Sequence, residues 1–205
     1  MRKVVLSAWI TLDGHVTGPD KDKMEWLRGD AQMMEYEQSF VDAADTLLLG
    51  RKTFNDFASY WPLLAQGVEP GAHPLPMPIE QQRQYARTID PMKKIVVSAS
   101  GEVATWRNVS VLPAIDPTQI ASLKREPGKN IAMYGSLSVV RALSAHQLMD
   151  EYELLMHPIF AAKGKPLFDA PLDALELKSA HSFRSGVVLM KYSARPGAAA
   201  QKHAA

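Results

Sequence analysis

The chain is 205 residues long and carries 23 basic and 22 acidic side chains, a formal charge of +1, and no cysteine. That length builds one sizeable core and rarely two, so a single domain over 1–195 with a disordered tail at 196–205 is expected. The balanced charge leaves no basic field for nucleic acid, and the missing cysteine removes disulfides, thiolate nucleophiles and sulfur metal sites.

The opening segment has a basic start, a short apolar run over 3–10 and no small-residue cleavage site behind it, so it reads as a first strand. No stretch approaches the ~20 apolar residues that cross a bilayer. No membrane partner is therefore expected, and the cytoplasm is the expected compartment. Residues 13–20 are dense in turn formers, beginning Asp13-Gly14, and read as an exposed loop. From Asp30 the spacing is helical, with Met33, Tyr36, Phe40 and Ala44 on one stripe. The apolar strand 46–49 breaks at Gly50 into Arg51-Lys52-Thr53, where a second helix starts. Proline disfavours a helical predecessor, so this helix is expected to stop before Trp61-Pro62 and to leave 62–78 as a long proline-rich loop.

A short polar helix fits 79–88, and strands fit 93–98 and 109–112. Asp116-Pro117 has the cap and first-turn proline of a helix start. The strand 130–134 runs through Gly135-Ser136 into another helix, whose inner stripe is either Leu137, Val140 and Ser144 or Val139 and Leu143. Beyond Asp150 the pattern turns to strands, at 151–158, 175–183 and 187–192, the last two joined by a tight Ser185-Gly186 turn. Strands alternating with helices and ending in a hairpin predict an α/β fold with a mixed, mostly parallel central sheet and antiparallel C-terminal strands.

The junction Thr46-Leu47-Leu48-Leu49-Gly50-Arg51-Lys52-Thr53-Phe54 reads as a phosphate cradle. Its glycine lets the backbone approach a ligand, and the N–H groups of the helix start attract an anion. A solvated basic turn is the plainer reading of the same residues. The six histidines, at 15, 73, 146, 157, 181 and 203, show no paired spacing, so no metal site is expected. Trp26, Trp61 and Trp106 have faces suited to a flat heterocycle. Of the three, Trp61 lies beside the proline-rich loop and is the one expected to meet a substrate.

Leu12-Asp13-Gly14, Leu49-Gly50-Arg51-Lys52-Thr53 and Tyr134-Gly135-Ser136 follow one another as they do in the dihydrofolate reductase superfamily, which the chain resembles over about residues 3–193. Asp150-Glu151-Tyr152, His157-Pro158, Gly164-Lys165-Pro166-Leu167-Phe168 and Ser185-Gly186-Val187-Val188 bring it nearer to one branch. That branch is the C-terminal reductase domain of the bifunctional deaminase-reductase of riboflavin biosynthesis, with its stand-alone relatives. The resemblance implies a three-layer α/β/α fold, NADPH along the C-terminal ends of the central strands, and hydride transfer to a small pyrimidine- or pteridine-like heterocycle. It also implies a homodimer through the antiparallel C-terminal strands.

Carried over residue by residue, the resemblance implies that Gly50, Arg51, Lys52 and Thr53 hold the adenosine phosphates, with Arg51 and Lys52 reading the 2′-phosphate. Val97, Ser98 and Ala99 would lie against the adenine ribose, and Gly135, Ser136 and Leu137 would meet the pyrophosphate. Ala8, Trp9 and Gly14 would lie near the nicotinamide. Asp13 is either a turn former or the catalytic group that touches the substrate. Dihydrofolate reductases carry a carboxylate on the helix before the Gly50 junction, a position that falls at about Met34, which lines the substrate side but donates no proton. Glu35 and Glu37 are expected to point elsewhere, because helix neighbours are rotated by about 100°. A pyrimidine reductase is thus the leading expectation. A dihydrofolate or pteridine reductase is one alternative, and a dinucleotide-binding protein without turnover is another.

Overall fold

Eight strands form one sheet in the computed structural model, which describes residues 1–18, 25–70, 78–170 and 174–194. The elements in chain order are β1 (Val4–Thr11), α1 (Ala31–Asp42), β2 (Ala44–Gly50), α2 (Arg51–Ala65), α3 (Ile79–Ile89), β3 (Lys93–Val97), β4 (Val109–Leu112), α4 (Pro117–Arg125), β5 (Asn130–Met133), α5 (Leu137–Ala145), β6 (Glu151–His157), β7 (Leu175–Ser182) and β8 (Val188–Ala194). The order across the sheet is β4-β3-β2-β5-β1-β6-β8-β7. The five pairings from β4 to β6 are parallel, and β8 pairs antiparallel with both β6 and β7. The fold is the expected α/β one: a mostly parallel sheet ending in antiparallel C-terminal strands.

Apolar residues run almost without a break through the central strands because both faces are covered. On one face Val5, Leu47, Leu49, Val96, Ala132 and Leu155 pack against α1, α2 and α3. On the other, Leu6, Leu48, Ile95, Ile131 and Met133 pack against α4 and α5. The helix α5 resolves its two candidate stripes by using parts of both, since Val139, Val140, Leu143 and Ser144 are all buried. Parallel strands all point the same way, so Thr11, Gly50, Val97, Met133 and His157 end along one edge, where α/β sheets bind ligands.

Three boundaries depart from the sequence reading. Helix α2 does not stop before Trp61-Pro62 but runs through Pro62 to Ala65. An interior proline costs about 3 kcal/mol. Burying Trp61 and Leu64 in the core, at roughly 1.5–3 kcal/mol each for side chains of this kind, offsets it. Ala44 starts β2 and is not the last residue of the α1 stripe, because the chain has already turned at Ala43. The expected loop 62–78 therefore begins later, and its residues 71–77 lie outside the described residues, as does the tail expected at 196–205. Among the described residues no helix is long and apolar enough to cross a membrane.

Candidate active site at the carboxyl edge of the sheet

The two strand–glycine–helix junctions meet in space. The backbone N–H of Gly50, at the end of β2, donates to the carbonyl of Gly135, after β5, at 3.0 Å. A Cβ on Gly50 would lie 2.0 Å from Ser136 Oγ and 3.0 Å from the Ser136 backbone nitrogen. Gly135 has φ +128°, a region closed to most side chains, and a Cβ there would lie 3.2 Å from Thr53 Oγ1. The peptide between Gly135 and Ser136 is cis.

Neither α2 nor α5 has a side-chain N-cap, whereas Asp30 caps α1 and Asp116 caps α4. Two helix starts thus sit side by side with their first N–H groups unanswered by side chains, an arrangement that suits an anion. Arg51 and Lys52 are exposed there, and Thr53, Ser136 and Leu137 are half-buried. From the neighbouring strand end, Ser100 accepts from Arg51 Nη1 at 3.1 Å and lies 3.3 Å from Ser98 Oγ. Val97 is half-buried, Ser98 is buried and Ala99 is exposed at this edge. These residues offer an anion backbone amides with a cation beside them.

Ala8 and Trp9 lie near the end of β1, with Ala8 buried and Trp9 half-buried. In the following loop Gly14 has φ +77°, and its carbonyl accepts from Leu167 N–H at 2.9 Å. Asp13 is fully engaged: Oδ1 accepts from the Thr11 hydroxyl at 2.5 Å and from Ala161 N–H at 3.1 Å, and Oδ2 accepts from Ala162 N–H at 2.8 Å. The Thr11 hydroxyl and then these amides hold its carboxyl well below the usual carboxylate range. Asp13 thus ties the loop to 161–162 as a turn former does, and it carries no proton at neutral pH.

A carboxyl with a raised proton affinity lies elsewhere. Glu37 on α1 is 3% exposed, with Oε1 accepting the indole N–H of Trp9 at 2.9 Å and Oε2 bonded to the Tyr134 hydroxyl at 3.2 Å. Burial pushes its pKa up to about 7, against the two hydrogen bonds that favour the ionised form. Tyr134 is half-buried between Phe40 and Phe57, directly before Gly135. The expectation that Glu37 points away from the Met34 position is corrected here. A residue three positions on returns to within about 60° of the same helix face, and Met34 and Glu37 are both buried.

His157 closes β6 beside this cluster. It is fully buried, its Nδ1 accepts Arg28 N–H at 3.1 Å, and the rings of Trp9 and Trp26 lie 6.0 and 5.0 Å away. Burial, then the charge of Arg28, lowers its pKa to about 4, so it is neutral with its proton on Nε2. Trp61, expected to face a substrate, is instead 7% exposed and packed against Phe57, Tyr60 and Tyr85. Among the described residues no three His, Asp or Glu side chains are grouped to hold a metal ion.

The sequence pattern described as the RibD C-terminal domain matches residues 2–189. The chain belongs to the RibD C-terminal domain family. It is 29% identical over 197 residues to the uncharacterized protein YyaP of Bacillus subtilis, an alignment covering 93% of this chain and 94% of that one. A putative riboflavin biosynthesis protein from Shewanella sp. PV-4 has a similar structure, with a TM-score of 0.69 at 15% identity over 94% of this chain and 99% of that one. The dihydrofolate reductase of Enterococcus faecalis, solved with NADP(H), matches with a TM-score of 0.53 at 16% identity, covering 93% and 95%. At such identities the two structures show the fold alone.

Within this RibD C-terminal domain the structure brings together Gly50, Thr53, Gly135 and Ser136 as one unit, with Arg51 at its rim joined to Ser100. Glu37, Tyr134 and His157 are the chemically able residues that sequence reasoning passed over. Tyr134 stands in the quoted Tyr134-Gly135-Ser136 junction, His157 in the quoted His157-Pro158 pair, and Glu37 keeps helical spacing with Met34, so a signal for each was present. What spacing could not show is the partner of His157, a backbone amide 129 positions away.

Proposed function

We propose that this chain is an NADPH-dependent reductase that delivers a hydride to a C=N or C=O group of a small heterocycle. The observation that carries the reading is the contact between the Gly50 and Gly135 junctions, which sets two helix starts without side-chain caps beside Arg51 and Lys52. Gly50, Thr53, Gly135, Ser136 and Leu137 would hold the phosphates. Arg51 and Lys52 would read the 2′-phosphate, and Val97, Ser98 and Ala99 would border the adenine ribose. Ala8, Trp9 and Gly14 would face the nicotinamide. The bound cofactor supplies the hydride. The chain supplies orientation and, from the buried carboxyl of Glu37, the proton that the reduced group needs.

A pyrimidine of the aminouracil class is the substrate that family membership favours. Glu37 favours a second reading, reduction of a pteridine, since an acid on the first helix removes the objection raised by Met34. The test is titration with NADPH and with NADH, followed by quenching of tryptophan fluorescence, and then a screen of aminouracils and pterins. Binding of NADPH in preference to NADH, with oxidation by one class, is expected. If neither dinucleotide binds, the glycine junctions serve packing alone and the reductase reading falls.

The homodimer has one observation behind it: every residue of β7 from Glu176 to Ser182 is exposed, and the strand pairs only with β8 among the described residues. Sedimentation at micromolar concentration is expected to show a dimer, and a pure monomer would end the idea.

A further inference from the structure

Glu37 has two oxygens and two unlike partners. The Trp9 indole can only donate, so Oε1 is held as an acceptor whatever the charge of the carboxyl. The carboxyl proton therefore belongs on Oε2, where the Tyr134 hydroxyl can both accept and donate. With Glu37 ionised, Tyr134 donates to Oε2; with Glu37 protonated, the bond reverses and frees the Tyr134 proton to point away from the carboxyl.

Access separates the two groups. Glu37 is 3% exposed and capped on both oxygens, whereas Tyr134 is half-buried and directly precedes Gly135 in the proposed cradle. A substrate atom reaching for the carboxyl would have to displace Trp9 or Tyr134, whereas Tyr134 is itself partly exposed beside Gly135.

We propose that the Tyr134 hydroxyl hands the proton to the substrate and that Glu37 is the reservoir that refills it. The proposal rests on the reductase reading above. A bound reduced nicotinamide would supply the hydride that the carbon of the C=N or C=O group takes up. The O–H bond of Tyr134 breaks as its proton passes to the substrate nitrogen or oxygen. The Tyr134 oxygen takes the proton of Glu37 Oε2 in the same movement, so the phenol ends neutral and Glu37 ends ionised. Water recharges Glu37 afterwards. The other ionisable groups facing the pair are Glu153 on β6, which raises the proton affinity of Glu37, and the phenols of Tyr36 and Tyr85. Glu153 is itself held by Lys191 and by Tyr36, each at 2.8 Å.

The experiment compares wild type, Tyr134→Phe and Tyr85→Phe. In protein labelled with 13C at the glutamate carboxyls and free of cofactor, the Glu37 resonance is followed from pH 5 to 9, with Glu37→Gln identifying it. The wild-type midpoint is expected near 7, and Tyr134→Phe is expected to raise it because a hydrogen bond to the ionised form is lost. Dinucleotide binding is expected to persist in Tyr134→Phe. Turnover with the responding aminouracil or pterin is expected to fall about 100-fold or more with KM little changed, the loss typical of a missing general acid. Tyr85→Phe is expected to keep most of its turnover. A common Glu37 midpoint in wild type and Tyr134→Phe overturns the proposal whatever the cofactor does. So does turnover by Tyr134→Phe at the wild-type rate. Wild type that binds no dinucleotide overturns the reductase reading itself, a result distinct from either.

Discussion

The indole N–H of Trp9 on β1 donates to Oε1 of Glu37 on α1 at 2.9 Å, tying the first strand to the first helix through a buried carboxyl. That carboxyl has a folded pKa near 7 against an ordinary 4.5, so the folded state binds more protons than the unfolded one between those values. Its contribution to stability is complete below pH 4.5 and is lost as pH rises through about 7. The loss is on the order of 3 kcal/mol for a shift of this size. Glu37→Gln is expected to remove that contribution, so that from pH 4.5 to 7 the variant gains stability relative to wild type as pH rises, which urea unfolding at a series of pH values between 4.5 and 7.5 would measure. A constant difference between variant and wild type across the series would mean that Glu37 is ionised in the folded protein.

His157 works in the opposite sense. Its pKa is lowered from 6.5 to about 4, so the folded state binds fewer protons than the unfolded one in that window. Stability from this residue is full above pH 6.5 and is lost as pH falls through about 4. Between pH 4.5 and 6.5 the two residues therefore offset one another. His157→Asn, whose side-chain carbonyl can still accept from Arg28 N–H, is expected to uncover the Glu37 slope in the same unfolding series. A variant as flat as wild type across that window would contradict the assignment.

The sheet was legible because its physics is local: continuous apolar runs, turn residues between them, and a hairpin at the end. Helix α2 was misread at Pro62 because a local rule about proline competes with burial of Trp61 and Leu64, which only the tertiary packing reveals. The two glycine junctions were each legible, but their contact joins residues 85 positions apart and left no trace in spacing. Glu37 was legible in principle. Comparing it with its immediate neighbours hid what comparison at three positions shows, that it shares a face with Met34. Nothing short of the fold shows that Trp9 and Tyr134 converge on it.

Gly50 is needed for close approach rather than for its backbone angle, since its φ of −79° suits any residue. Gly50→Ala would press its methyl against Ser136, at 2.8 Å from Cβ and 3.0 Å from the backbone nitrogen. The substitution is expected to cost about 1–3 kcal/mol, the range for overpacking, and to remove dinucleotide binding. Adding Ser136→Gly removes the side-chain part of the clash and leaves the backbone part. Thermal melts of the single and double variants should show partial recovery; none would place the strain elsewhere.

Arg51 is exposed and joined to Ser100 at 3.1 Å, so it is free to exchange that neutral partner for a phosphate. Arg51→Ala removes a charge-assisted contact worth roughly 1.5–3 kcal/mol. NADPH binding is expected to weaken about tenfold or more, with NADH binding little changed. Fluorescence titration with both cofactors distinguishes this from equal loss, which would give Arg51 a role at the shared phosphates instead.

Trp61 separates core packing from substrate contact. Its ring centroid lies 4.7 Å from that of Tyr85 and 5.0 Å from that of Tyr60, and it carries the C-terminal part of α2 into the core past Pro62. If packing is its whole role, Trp61→Ala should cost about 3–5 kcal/mol, as large-to-small core changes do. Phenylalanine in its place should restore much of that, since it refills most of the volume with another aromatic face. Substrate KM measured on Trp61→Phe should then match wild type. A KM raised tenfold in a variant that melts near the wild-type temperature would return Trp61 to the substrate wall, with Tyr85 behind it as the link to Tyr134.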